Sequence, residues 1–167
     1  MHFIDGRMAA DMRGHKGKLW NAVGIRPSDS MIVSADHMGE IRLWDGRTGA
    51  FIKTLANHKN SVGHVSFTKD GRYVVAGTGY QATGWDFAVR VWEVATGKES
   101  VTYAQHKDVV VAAKGTPDGS MIATGGGDKY QVQLWDPKTG ETKRSLVGTG
   151  SIGWAVGFSA DGRHILT

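Results

Sequence analysis

Three copies of one segment constrain the fold of this chain more than any other feature of its sequence. The copies lie at residues 39–55, 88–103 and 131–146. In each copy, polar and apolar residues alternate up to a Trp, an acidic residue follows, and a Thr-Gly turn leads into a second extended segment. A period of two on both sides of a glycine-bearing turn is typical of a β-hairpin. Recurrence of the hairpin at about 40–45 residues predicts a propeller or a solenoid.

The residues between the copies complete a unit of four short strands. Each complete unit opens with a His-bearing turn, at His15, His58 and His106, and continues into a strand with alternating apolar residues. Asp-Gly pairs, which are strong hairpin signals, follow at residues 70–71, 118–119 and 161–162. No segment has convincing helical periodicity, so the sequence predicts an all-β fold.

The order of His, Asp-Gly, Ser or Thr, Asp and Trp-Asp resembles the WD40 repeat, the blade of a β-propeller. The Trp of the characteristic Trp-Asp pair stands at Trp44, Trp92 and Trp135, followed here by Asp, Glu and Asp. The resemblance covers nearly the whole chain. It implies four-stranded blades, with strands a to d running outward from a central channel.

The resemblance divides the chain into three complete blades and two partial ones. Thr149 stands where the spacing predicts the His of the last unit, and Gly115 stands where blade 2 has Phe67, so we expect these blades to be held less firmly. The divisions are residues 1–13 (strands c and d of a partial blade), 14–55 (blade 1), 56–103 (blade 2), 104–147 (blade 3) and 148–167 (strands a and b of a partial blade).

Three whole blades and two halves amount to four blade-equivalents, which leaves three arrangements open. The ends could pair and close a four-bladed ring, two chains could pair and close a larger ring, or the chain could be an arc of a longer propeller. The arc requires neither pairing of the two ends nor a second chain, and we favour it. Because an unpaired strand edge exposes free backbone hydrogen-bonding groups, we expect copies of an open arc to associate with one another.

The resemblance implies a buried structural network in each blade, in which the His bonds a turn Asp while a Ser or Thr and the Trp complete the set. One His per blade lies too far from the next to build a metal shell, so we expect no metal site. In the second blade the Ser or Thr member of the network is not identified from the sequence. The implied members are His15, Ser34, Asp36 and Trp44 in blade 1; His58, Asp86 and Trp92 in blade 2; and His106, Thr124, Asp128 and Trp135 in blade 3.

An insertion interrupts the repeat in blade 2. His15 and His58 are 43 residues apart, as are Trp92 and Trp135, but Trp44 and Trp92 are 48 residues apart. The extra residues are expected in the turn between strands b and c, at residues 77–88. The resemblance implies that this turn lies on the top face, where partners commonly dock, and its large aromatic side chains are typical of binding hot spots.

These features predict a non-catalytic scaffold that binds proteins or peptides. A rigid disc of strands leaves the turn residues free to present contacts. Two alternatives are a nucleic-acid-binding propeller and the propeller portion of a larger enzyme. The residues predicted to contact a partner are Tyr80, Gln81, Trp85, His37, Met38, Lys129 and Tyr130.

Several other functions are disfavoured by composition and context. The net charge is only +4 and the basic residues are spread through every repeat, which makes nucleic acid an unlikely partner. The chain has no cysteine, no catalytic constellation, and no signal peptide or membrane-spanning run, so we expect no cofactor and favour the cytoplasm. Residues 148–153 match G-x-G-x-x-G, but they precede a strand rather than a helix, so the match is a coincidence.

Overall fold

The computed structural model describes residues 12–19, 22–79, 86–126, 131–148 and 155–166. Within these residues the chain forms fourteen strands and no helix, which confirms the all-β prediction. The described residues likewise contain no helix long and apolar enough to cross a membrane.

Three four-stranded antiparallel sheets follow one another along the chain, and in each the strands are adjacent in sequence order. The first sheet, blade 1, contains β1 (Val23–Ile25), β2 (Ile32–Ala35), β3 (Glu40–Trp44) and β4 (Phe51–Asn57). Blade 2 contains β5 (Val62–Phe67), β6 (Tyr73–Thr78), β7 (Val89–Glu93) and β8 (Glu99–Tyr103). Blade 3 contains β9 (Val110–Gly115), β10 (Ile122–Gly126), β11 (Gln131–Trp135) and β12 (Thr142–Val147). A two-stranded sheet follows, formed by β13 (Gly157–Phe158) and β14 (Ile165–Leu166).

The Asp-Gly turns between strands a and b form as their residue types require. In blade 2, Asp70 Oδ1 accepts hydrogen bonds from Thr68 Oγ1 at 2.6 Å and from the Arg72 backbone N–H at 3.0 Å. Gly71 between them has a φ of +68°, a left-handed conformation that glycine adopts without a steric penalty. The carboxylate and the glycine together reverse the chain between β5 and β6.

The hydrophobic core lies between neighbouring blades. Leu55 on the outer strand of blade 1 belongs to one buried cluster with Phe67 and Trp92 of blade 2. Tyr103 on the outer strand of blade 2 belongs to a second cluster with Trp135 of blade 3. Each fully buried side chain of this size contributes about 1.5–3 kcal/mol, so packing of blade on blade is the main stabilising term.

The three repeated tryptophans occupy the same position in their blades. Trp44 pairs with Ile32, Trp92 with Val74 and Trp135 with Ile122, in each case between strands b and c. All three indoles are buried. The repeat seen in the sequence is therefore a repeat of equivalent four-stranded blades.

The outer strand of blade 3 differs from those of blades 1 and 2. All six residues of β12 are exposed, whereas Leu55 on β4 and Tyr103 on β8 are buried against the next blade. Leu146 holds the register position of Tyr103, because it pairs with strand c at the equivalent residue, and it is 37% exposed. Its neighbour Val147 is 68% exposed. Blade 3 thus presents an uncovered face with apolar side chains.

Candidate functional site

The antiparallel order of the strands brings two kinds of connection to one end of the blades. The turns between strands b and c and the loops from one blade to the next lie at this end, which we call the top face, and the remaining turns form the bottom face. In blade 1 the two connections are bonded together. Lys18 N–H donates to His37 Nδ1 at 2.7 Å, and His37 N–H donates to the Lys18 carbonyl at 3.0 Å.

Blade 1 contains a continuous chain of hydrogen bonds below this surface. Trp44 Nε1 donates to Ser34 Oγ at 2.7 Å, and Ser34 Oγ lies 2.6 Å from His15 Nε2. His15 Nδ1 lies 3.2 Å from Asp36 Oδ2. Because the Trp N–H can only donate, the consistent assignment has Ser34 donating to Nε2 and the imidazole Nδ1–H donating to Asp36. The structure therefore brings the four expected residues of blade 1 into one set.

Asp36 also organises the backbone of the top-face turn. Its carboxylate accepts backbone N–H bonds from Gly17, Met38 and Glu40, each at 3.0 Å. Burial alone would raise the pKa of Asp36, but these donors and His15 outweigh burial and hold the pKa below its usual value. The turn that carries His37 and Met38 is thus fixed by an ionised, fully buried carboxylate.

Blade 3 repeats part of this arrangement. Trp135 Nε1 donates to Thr124 Oγ1 at 3.0 Å, and Thr124 Oγ1 lies 2.7 Å from His106 Nε2. The fourth expected member, Asp128, lies outside the described residues.

Blade 2 keeps the expected His58, Asp86 and Trp92 but adds a fourth residue, Arg90, that the sequence analysis did not single out. Ala76 stands at the register position of Ser34 and Thr124, so the hydroxyl is missing. A buried Arg90 fills the space: its Nη2 donates to Asp86 Oδ2 at 2.7 Å and its Nη1 lies 3.4 Å from His58 Nε2. His58 therefore reaches Asp86 through Arg90, while its ring packs edge-on against Trp92 with centroids 5.8 Å apart.

His58 is neutral in this environment. Burial, followed by the positive charge of Arg90, lowers the pKa of His58 to about 4. Nδ1 accepts from the Asn60 backbone N–H at 3.1 Å and lies 3.1 Å from the Asn60 carbonyl oxygen, while Nε2 lies 3.4 Å from Arg90 Nη1.

Hydrogen bonds hold the residues that flank the blade 2 insertion at both of its ends. Gly79 N–H donates to the Ser61 carbonyl at 2.7 Å, and Thr78 Oγ1 donates to the Ala88 carbonyl at 2.8 Å. Asp86 accepts from Arg90 and from the Ala88 backbone N–H at 3.2 Å. These bonds fix where the connection leaves and rejoins the blade.

The structure describes two of the seven predicted contact residues. His37 and Met38 lie on the top face at the tip of the blade 1 turn, and Met38 is 65% exposed. The other five predicted contacts lie outside the described residues: Tyr80, Gln81, Trp85, Lys129 and Tyr130. Leu19, which the sequence analysis did not single out, is a further exposed apolar side chain beside the same turn, at 45%.

One group of side chains has the composition of a metal site. His15, Asp36 and Glu40 bring possible ligand atoms within 4.8 Å of one another. Each atom already has a partner, however: the imidazole and Asp36 belong to the blade network, and Glu40 Oε2 lies 2.9 Å from Arg42 Nε. The group fits a structural role in the blade better than a cation site.

The innermost strands line a cleft of about 320 Å³ at the channel side of the blades. Its walls are mostly apolar and include Val65, Ala113 and Val156, with His64 and Lys114 as ionisable groups. Burial, and secondarily the charge of Lys114, lowers the pKa of His64. Among the described residues no carboxylate lines this cleft, so they provide no acid–base pair there.

Radial packing of four-stranded antiparallel blades around shared inner strands defines the chain as a β-propeller protein. A family model described as "WD domain, G-beta repeat" matches residues 49–93 and 97–136, together just over half of the chain. The chain belongs to the WD40 repeat family.

Solved structures show the same fold. The WD40 β-propeller domain of Doa1 superposes with a TM-score of 0.76 over 92% of this chain and 49% of that chain, at 22% identity. The computationally designed Ika4 protein superposes with a TM-score of 0.73 over 92% of this chain and 88% of that chain, at 26% identity.

Curated relatives match shorter stretches. Ribosome assembly protein 4 of Saccharomyces cerevisiae is 50% identical over 46 residues, which cover 28% of this chain and 9% of the relative. Eukaryotic translation initiation factor 3 subunit I of Botryotinia fuckeliana is 31% identical over 74 residues, 44% of this chain and 22% of the relative. A Lissencephaly-1 homolog of Monosiga brevicollis is 34% identical over 58 residues, 35% of this chain and 14% of the relative. The matches therefore span less than a quarter of the length of each of these relatives.

Proposed function

We propose that this chain is a non-catalytic scaffold that binds a protein or peptide partner on its top face. The observation that carries the proposal is the blade 1 turn, where Met38 is exposed while Asp36 beneath it is fully buried. Such a turn presents side chains on a backbone that is already ordered, so that binding costs little conformational entropy. Leu19, exposed beside it, adds apolar area at the same place.

The names of two relatives agree with a role in assemblies. One is named as a subunit of a translation initiation factor and another as a ribosome assembly protein. These names describe those proteins and support only the general class for this chain, namely a member of a protein complex. The five predicted contacts outside the described residues remain part of the proposal, because in sequence they lie between strands b and c of blades 2 and 3.

The proposal is tested by quantitative affinity purification from cells that make the protein. The top-face variant carries Leu19→Asp and Met38→Asp, and a matched control carries Ala95→Asp, an exposed position in a bottom-face turn. We expect the top-face variant to lose the partners that the unmodified protein recovers, while the control retains them. Equal recovery by both variants would remove the top face as the binding surface, and recovery of RNA in place of protein would favour the nucleic-acid alternative.

The uncovered face of blade 3 supports a second kind of contact, with another copy of this chain. The chain spans 49% of the Doa1 propeller domain at a TM-score of 0.76, so two arcs of this size amount to a ring of that size. Tyr103 of blade 2 is buried by the next blade, and Leu146 holds the same register position on β12. Leu55 of blade 1 is buried in the same way, one residue before that position. Self-association would bury Leu146 and Val147 in the same way.

A further inference from the structure

We propose that the partner segment recognised by the top face is acidic and carries apolar side chains, an inference that rests on the proposed function and specifies its ligand. The evidence is a basic surface formed by lysines that are distant in sequence and that the fold brings to one end of the blades. In sequence the basic residues are spread through every repeat, but the fold collects one of them from each blade at the same end.

The surface is built by a repeated His-Lys pair. Each blade His is followed by a lysine, and Lys16, Lys59 and Lys107 are all exposed. In each blade the His side chain points into the blade, toward Ser34, Arg90 or Thr124. The lysine that follows lies at the surface on the blade-to-blade loop, so one cation is placed on the top face of each complete blade.

Lys18 adds a fourth positive charge to blade 1. It is exposed, and only its backbone takes part in the hydrogen bonds with His37. Within the described part of the chain, none of the four lysines forms an ion pair: Lys16, Lys18, Lys59 and Lys107.

Within the described residues, each acidic side chain on this face already has a partner. Asp36 is buried beneath backbone donors, Glu40 pairs with Arg42 at 2.9 Å, and Asp86 pairs with Arg90 at 2.7 Å. The Asp108 carboxylate accepts from the Val109 backbone N–H at 2.7 Å. Among the described residues, the four lysines outnumber Asp36 and Asp108, the two carboxylates without an arginine or lysine partner, so the field at the top face is positive.

The bottom face lacks this excess of positive charge, because its turns contain carboxylates as well as basic residues. Asp29 binds Arg26, for instance, with Nη2 2.5 Å from Oδ2. The carboxylates of these turns are Asp29, Asp45, Asp70, Glu93, Asp118, Asp136 and Asp161.

The apolar side chains on the top face indicate what else the partner must supply. Exposed lysine–carboxylate pairs contribute little affinity, and they act mainly on encounter and selectivity. Among the described residues of this face, Met38 and Leu19 can bury an apolar side chain, but neither offers a nucleotide base a hydrogen bond or an aromatic ring for stacking. An acidic peptide with apolar anchors matches both the lysines and the exposed apolar side chains of the described surface, whereas a nucleic acid matches only the lysines.

A selection with a displayed library of random 12-residue peptides on the full chain tests the inference. We expect the recovered peptides to be enriched in Asp and Glu next to Leu, Ile, Met or Phe. The test variant is Lys59→Glu with Lys107→Glu; the control is Lys98→Glu with Lys138→Glu, which makes the same charge change on the bottom face. A recovered peptide should bind the test variant about tenfold more weakly or worse, and the control within about twofold, with unchanged circular dichroism for both.

The outcomes separate this inference from the function on which it rests. Peptides that bind through Met38 but show no acidic enrichment would overturn the acidic preference and leave the scaffold function standing. Peptides that ignore both Met38→Asp and the lysine variant would overturn both. A 12-nucleotide oligouridine that binds more tightly than any peptide, and loses binding in the lysine variant, would assign the surface to nucleic acid and overturn the inference.

Discussion

Tyr103 of blade 2 stacks on Trp135 of blade 3, with ring centroids 4.5 Å apart and ring planes within 3° of parallel. The Tyr103 hydroxyl donates to Gln133 Oε1 at 2.7 Å and lies 2.7 Å from Thr142 Oγ1. One side chain therefore joins the outer strand of one blade to the two outer strands of the next. Blade-to-blade stability depends on such contacts, since the core itself lies between the blades.

Replacement of Tyr103 separates the two parts of this contact. Tyr103→Phe keeps the stack but loses both hydroxyl bonds and leaves Gln133 short of a donor, so we expect it to lower the free energy of unfolding by about 1–3 kcal/mol. Tyr103→Ala also removes the ring and should cost about 3–5 kcal/mol. Urea titration measures both, with the exposed neighbour Thr102→Ala as the control. Equal small losses for Phe and Ala would contradict the stacking role.

Ser34 is the centre of the blade 1 network, because it accepts from Trp44 and bonds His15. Ser34→Ala leaves both buried partners unsatisfied, and we expect it to destabilise the protein by about 1–3 kcal/mol. Ser28→Ala, at an exposed turn position, should have no measurable effect. If thermal denaturation gave the same midpoint for the two variants, the network would have no stabilising role.

The neutral His58 predicts a specific dependence of stability on pH. Its pKa is about 4 in the folded protein and about 6.5 when unfolded, so between these values the unfolded chain binds more protons. Stability is therefore full above about pH 6.5 and falls as the pH is lowered toward 4, by on the order of 3 kcal/mol from this group.

Unfolding free energies of the unmodified protein and of His58→Gln at several pH values between 6.5 and 4 measure this dependence. We expect the variant to be less stable at pH 7 but to have a shallower slope, because Gln does not titrate. Identical slopes would show that His58 is protonated to the same extent in both states, contrary to its placement beside Arg90.

Leu146 tests the proposed contact between copies of the chain. We expect light scattering after size-exclusion chromatography to detect association of the unmodified protein, and Leu146→Asp to abolish it, because a carboxylate opposes burial of this face. Lys143→Asp changes an exposed residue on the same strand and serves as the control. A monomer at all concentrations for the unmodified protein would contradict the contact.

The blades could be predicted from sequence because the same pattern of paired strands recurs in each of them. The positions of Trp44 and Trp135 follow from that repetition, and the structure places them in equivalent sites. Blade 2 was harder. Ala76 stands six residues after Asp70, as Thr124 stands after Asp118, so the missing hydroxyl could be read from the spacing. The insertion follows Ala76, and the compensating role of Arg90 could be recognised only from strand register and contacts.

Other features depend on contacts between blades, which no local pattern reports. The sequence around Tyr103 resembles that of any outer strand, and its stack on Trp135 exists only because the next blade packs against it. Lys16, Lys59 and Lys107 lie 43 and 48 residues apart in sequence, so their common placement also required the assembled blades.

Hydrogen–deuterium exchange of the free and partner-bound protein tests the top-face account most directly, using either a recovered protein or a selected peptide. We predict slower exchange on binding in the top-face connections at residues 14–19, 36–39, 58–61 and 106–109, with no change in the bottom-face turns at residues 45–49, 93–97 and 136–140. Protection of the bottom-face turns with the top face unchanged would contradict the account.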